Sequence, residues 1–152
     1  MIIGITGIRD IYEGSHWSVG GEMAEIVGNA DVSEIWFGGA RGCDELALYS
    51  AWQAKGDGKK PLLKVVVPFT IDDQPAHARA TIKKCADKIV ELKLQKNISG
   101  YMVRNRYIVD HCDELVAFWD GSSGGTQGTI ELAKAAGKPV QIISVERVIK
   151  ES

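Results

Sequence analysis

Cysteine is scarce in this chain. Cys43, Cys85 and Cys112 are three in 152 residues, an odd number at wide intervals. That spacing excludes a disulfide framework, a paired zinc site and a redox dithiol, and leaves buried thiols in a reducing compartment as the expectation. Long apolar runs are also missing. Met1–Ile8 has no basic residue before it and meets Arg9 and Asp10 at once, so it reads neither as a signal peptide nor as a membrane span. A cytoplasmic protein without a membrane partner is expected. Charge of one sign is lacking too: 18 Lys and Arg against 20 Asp and Glu give a net charge of −2. No global basic field draws the chain to a polyanion, so nucleic acid is not expected as a partner and any anion must be held locally. No stretch fits GxGxxG or GxxxxGK[ST], which sets aside the usual dinucleotide fold motif and the P-loop. His16, His77 and His111 share no ligand spacing, so no metal or cofactor is expected.

What is present is ordinary globular material, 45% hydrophobic and 25% charged, and the length suits one domain over residues 1–152. Short β-branched runs alternate with helix-length segments, the pattern of a mainly parallel sheet with helices on both faces, a three-layer α/β sandwich. Six strands are expected at Ile2–Thr6, Glu34–Phe37, Leu63–Val67, Ile89–Leu94, Leu115–Trp119 and Val140–Ser144. Helices fall near Val19–Gly28, Asp44–Lys55, Pro75–Asp87, Gly100–His111 and Thr126–Ala136, and Tyr12–Trp17 and Gly56–Lys60 read as surface loops.

Ligands of such sheets bind beyond the carboxyl ends of the strands, where helix N-termini converge. Three loops there are rich in glycine, arginine and hydroxyls: Thr6-Gly7-Ile8-Arg9-Asp10, Gly38-Gly39-Ala40-Arg41-Gly42-Cys43-Asp44, and Asp120 through Thr126. Bare backbone approaches an anion closely, and the N–H groups of Gly124, Gly125 and Thr126 would open a helix at its positive end. Ser123 either joins them or caps the helix. Arg41 either forks onto phosphate oxygens or pairs with Asp44 or Glu45 across the helix start, and Arg9 has the same two readings. Tyr101, Asn105, Ile108 and Cys112 recur at helical spacing and place Asn105 on an apolar stripe, where its amide must brace a loop or touch a ligand. Arg104 and Arg106 diverge to its sides. Asp10, Asp44, Asp120 and Glu131 are the carboxylates near this edge, with Asp44 also readable as a helix cap. Trp119 and Tyr107 either pack in the core or cover a base.

The succession TGIRD, GGARGCDELA, VVVPF, VRNRYIVDHCDELVAFWDG and SSGGTQGTIELAKAAGKPV resembles the SLOG superfamily, which unites DprA/Smf proteins with the Lonely Guy cytokinin-activating enzymes, and within it the small stand-alone YspA/YpsA-like branch. The match runs from about Gly4 to Val140. The resemblance implies a Rossmann-like nucleotide-binding fold. It places Gly39, Arg41, Gly42 and Asp44 on the family's glycine-rich loop, Ser123–Thr126 on its phosphate-binding turn, and Arg104 at the active-site arginine of Lonely Guy enzymes. Their GGxGTxxE glutamate is not matched. One register puts Thr129 there, the other Leu132, and Glu131 is one residue short. The expectation is therefore a module that senses or sequesters a nucleotide-like molecule and forms a homo-oligomer, as family members often do. A phosphoribohydrolase using Glu131 or Asp44, with Arg104 beside it, is the alternative. A DprA-like DNA-processing accessory is the third reading.

Overall fold

A computed structural model of the chain describes residues 1–97, 99–122 and 124–149. Among these, six strands form one sheet: β1 (Ile2–Gly7), β2 (Glu34–Phe37), β3 (Leu62–Val67), β4 (Lys88–Glu91), β5 (Glu114–Trp119) and β6 (Val140–Ser144). Five α-helices join them: α1 (His16–Gly28), α2 (Cys43–Lys55), α3 (Ala76–Cys85), α4 (Ser99–His111) and α5 (Gly125–Ala135). Every pairing is parallel and the order is β4-β3-β2-β1-β5-β6. This is the α/β Rossmann-like architecture that the alternation of β-branched runs and helical segments implies.

Strand alternation divides the core. Ile35, Phe37, Val65, Val67, Val116 and Phe118 point to one face and pack with Val19, Met23, Ala47, Leu48 and Ile82 of α1, α2 and α3. Their neighbours point the other way: Trp36 and Val66 meet Ile108 of α4, and Leu115 meets Val109 of α4 and Ala133 of α5. Because these strands are buried on both sides, they read as continuous apolar runs. Contact between α4 and β1 is close: a Cβ on Gly4 would lie 3.0 Å from Ile108 Cγ2 and 3.2 Å from Cys112 Sγ.

Three boundaries differ from the sequence expectation. Tyr12–Trp17 is not an open loop, since a 3₁₀ turn at Glu13–Ser15 runs straight into α1. The helix expected over Pro75–Asp87 runs over Ala76–Cys85, and before it Ile71–Asp73 forms its own 3₁₀ turn, closed by a capping box between Thr70 and Asp73. The strand expected to reach Leu94 ends at Glu91, because Lys93 adopts a φ of 54° and the N–H groups of Lys93 and Leu94 turn to the carbonyls of Phe69 and Pro68.

From β1 the chain winds outward through β2, β3 and β4, then returns to add β5 on the other side of β1. The loops after β1 and β5 consequently leave toward opposite faces, and a crevice opens between them at this switch point. The loop after β2 closes its floor. Gly42, with a φ of 82°, caps α2 in a conformation that side chains rarely adopt, and a Cβ there would collide with the backbone carbonyl of Arg9. Replacing Gly42 by Ala should therefore destabilise the fold by at least about 2 kcal/mol, combining backbone strain with displacement of the Arg9 loop. Gly21→Ala, in α1 with open space around it, should instead stabilise by about 0.5–1 kcal/mol. Urea unfolding of the two variants checks the contrast.

Candidate functional site

The crevice is a cavity of about 360 Å³ lined from four sides. Gly7 comes from the end of β1, Ile8, Arg9 and Asp10 from the loop after it, Ala40 and Asp44 from the loop after β2 and the start of α2. Tyr101, Met102, Arg104 and Asn105 come from α4. Ser122, Gly124, Gly125 and Thr126 enter from the turn after β5 and the opening of α5.

Arg104 is the structural centre of this arrangement. It is buried, 4% exposed, on a helix whose next residue Asn105 is only half-buried. The periodicity expectation is corrected here: the arginine, and not the amide, takes the inward position, and Tyr101 at the head of the expected stripe is 40% exposed beside the cavity. The helix start projects past the sheet edge, so its apolar residues meet the crevice instead of the core. Arg104 Nη1 donates to the carbonyl oxygen of Gly38, and its Nε donates to Asn105 Oδ1 at 2.8 Å. Asn105 is thus a brace, acting on the arginine. Burial lowers the Arg104 pKa, and the neighbouring Asp44 carboxylate opposes that. Gly38 threads between the two; a Cβ on it would stand 2.9 Å from Asp44 Oδ2 and 3.0 Å from Arg104 Cζ.

Asp44 sits one residue inside α2, whose cap is Gly42, so the carboxyl is not the N-cap residue. Burial pushes it up to about 6, against the pull of Arg104, the backbone N–H groups of Ala40 and Gly38, and Arg9. Its Oδ1 has no hydrogen-bond partner among the described residues. Cys43 next to it is buried, and burial together with Asp44 raises its thiol to about 12, which keeps it protonated and removes it as a nucleophile.

The remaining expected residues take different places. Arg9 is exposed, with its guanidinium 5.4 Å from the Tyr101 ring centroid. Arg41 does not line the cavity; it is exposed and pairs with Asp10 at 2.8 Å, a partner other than the Asp44 or Glu45 considered from sequence. Gly39 lies over Val65, Val67 and Ile82, and with Gly42 it shapes the loop without lining the cavity. Ser123 lies outside the described residues. Glu131 is exposed on α5 and does not line the cavity. Thr129 is buried with its hydroxyl donating to the Gly125 carbonyl, and Leu132 packs at the α4–α5 core. Trp119 lines the crevice and donates from Nε1 to the Ser122 carbonyl at 2.6 Å, whereas Tyr107 packs against Trp36 away from it. Among the described residues no three His, Cys, Asp or Glu side chains stand together as a metal site, and no helix is long and apolar enough to cross a membrane.

Arg147 was not foreseen. It follows β6, where the sequence carries no motif, and it reaches the cavity because its backbone bridges Ile11 across the sheet edge. Its Nε donates to Asp120 Oδ2 at 2.9 Å and its second terminal nitrogen to Ser122 Oγ at 3.0 Å.

Against known proteins, no family model and no curated sequence matches the chain. Solved structures do. DNA processing protein A from Helicobacter pylori, described for its single-stranded DNA binding mode, superposes with a TM-score of 0.76 at 22% identity, over 100% of this chain and 68% of that one. DNA processing protein A from Streptococcus pneumoniae gives 0.73 at 21% identity, over 92% of this chain and 49% of that one, so the chain spans about half of that protein. The molybdenum cofactor carrier protein from Chlamydomonas reinhardtii gives 0.65 at 22% identity, over 93% and 74%. The fold is therefore one these proteins share. At these identities the likeness establishes architecture alone.

The raised pKa of Asp44 fixes the sign of a pH effect. A carboxyl lifted from 3.8 to about 6 on folding favours the folded state fully below its ordinary value, and that contribution is lost as pH rises through about 6. The stability of Asp44→Asn minus that of the unmodified chain should therefore be smallest near about pH 4. It should grow by up to about 3 kcal/mol toward pH 7. Urea unfolding across this range measures it, and a flat difference would mean that the carboxyl ionises normally.

Proposed function

We propose that the crevice binds a nucleotide or nucleotide-derived small molecule through its phosphate, as a sensing or sequestering site. The observation that carries this reading is the convergence on one cavity of the α5 N-terminus and the guanidinium groups of Arg9, Arg104 and Arg147. The bare backbone of Gly124 and Gly125 has nothing within 4 Å of where side chains would be, so an anion can approach their N–H groups. Arg9 supplies an exposed guanidinium to the same cavity and Arg104 a buried, fixed one. Tyr101 and Trp119 offer flat apolar walls for a base or ribose. The likeness to a molybdenum cofactor carrier agrees with a small-molecule role. Of the two carboxylates considered for turnover, Asp44 lines the cavity and Glu131 does not.

A second reading, single-stranded nucleic acid in the same crevice, is favoured by the likeness to two DNA processing proteins. Against it, the arginines of the site alternate with Asp10, Asp44 and Asp120, which weakens any extended positive track.

Nucleoside monophosphates should raise the melting temperature while the parent nucleosides do not, and equal stabilisation by nucleosides would remove the phosphate reading. Arg9→Ala should cost about 1.5–3 kcal/mol of binding, roughly ten- to 150-fold in affinity. Arg41→Ala should cost less, since Arg41 does not line the cavity and its charge is already paired to Asp10. Titration calorimetry compares them.

An oligothymidylate should not be shifted by the protein in moderate salt. Retardation with a steep salt dependence would decide for the nucleic-acid reading instead.

A further inference from the structure

The segment that follows β6 is tied to the site at several points. Val148 N–H donates to the Asp10 carbonyl at 2.8 Å, the Glu146 carbonyl accepts from Tyr12 N–H at 2.8 Å, and Glu146 N–H donates to Ser15 Oγ at 2.9 Å. These bonds fix Arg147 against the turn after β5. The turn itself is compact: Asp120 Oδ1 accepts from the backbone N–H and the hydroxyl of Ser122, at 3.1 and 2.5 Å, while Trp119 Nε1 holds the Ser122 carbonyl. Arg147 bridges both ends of it, through Asp120 Oδ2 and Ser122 Oγ.

Asp120 is an awkward neighbour for an anion. It stands five residues before the start of α5, in the turn whose continuation presents Gly124 and Gly125. Partial burial acts to raise its pKa, but the hydrogen bonds from Ser122 and Arg147 bring it down to about 2, so it is charged at any ordinary pH. A bare carboxylate there would repel phosphate from the positive helix end.

We infer that Arg147 is a positioning residue for the phosphate-binding turn: by pairing with Asp120 and gripping Ser122, it cancels the carboxylate of that turn that would oppose an anion at the start of α5. This rests on the phosphate reading of the crevice. It goes beyond the family resemblance, which ends near Val140, and it makes the segment after β6 part of the site. Arg147 acts through Asp120, so removing the aspartate charge should compensate for losing the arginine.

The test titrates inorganic phosphate into the full chain and three variants, following phosphorus line width, with melting temperature recorded in parallel. Arg147→Met should bind phosphate at least about tenfold more weakly, yet melt within a few degrees of the unmodified chain, because Arg147 is itself 43% exposed and Asp120 keeps its two bonds from Ser122. Asp120→Asn alone, which keeps an acceptor for Ser122, should bind somewhat more tightly. The double variant Arg147→Met with Asp120→Asn should recover most of the loss, a coupling that a merely structural role would not produce. Unchanged binding by Arg147→Met overturns the inference, and so does a double variant as weak as the single, since Arg147 would then touch phosphate directly. If Arg147→Met does not fold, Asp120→Asn decides: weaker binding than the unmodified chain overturns the inference. Absence of phosphate binding by the unmodified chain is a separate result and overturns the phosphate reading itself.

Discussion

Arg104 reaches from α4, on one face of the sheet, to the carbonyl of Gly38 in the loop that leads to α2 on the other. The contact passes through the crevice at the sheet's carboxyl edge, and three further features follow from it. Gly38 must lack a side chain because the guanidinium and Asp44 lie on either side of its Cα. Asp44 is tolerated deep in the protein because a fixed positive charge faces it. Asn105 is held in place as the second acceptor. A buried arginine with a carbonyl, an amide and a carboxylate around it is costly to desolvate, and removing one member would strand the others. This cost is borne where two helical layers and three loops meet, which is also where the cavity lies.

The aspartates around the cavity set its electrical character. Arg41 faces Asp10, Arg104 faces Asp44, and Arg147 is bonded to Asp120, while Arg9 lies over an aromatic ring. A polyanion gains from a broad positive field, and this site has little of one to offer. On the proposed reading its offer is short-range: N–H groups of fixed direction at a helix end and guanidinium planes held by their partners, which would reward a ligand whose anionic group is compact and correctly placed.

The fold was readable because strands buried on both faces leave unbroken apolar runs, as in Leu63–Val67 and Leu115–Trp119, and because glycine and proline punctuate the helices between them. The three site loops were readable for a related reason, since glycine next to arginine is seldom needed except where backbone must come close to something. Other details escaped for reasons of geometry. Helical periodicity marked Asn105 because it assumes that the apolar side of α4 faces the sheet along its whole length, whereas the first turn faces the crevice. Arg41 has the composition of a phosphate ligand but pairs with Asp10, a partner 31 residues away, and does not itself line the cavity. Arg147 joins a segment 27 residues distant and belongs to no motif, so only the three-dimensional path of the chain brings it in.

The closeness of α4 to β1 at Gly4 has a consequence for how fast the crevice can work. With Ile108 and Cys112 seated directly on the strand, α4 cannot slide along the sheet without driving side chains into backbone, and the wall it gives to the cavity is stationary. A ligand that enters meets donors already aimed, and little of its interaction energy is spent on ordering the protein. Association is then governed by diffusion and orientation rather than by waiting for an open form, and differences among related ligands appear in how long each one stays.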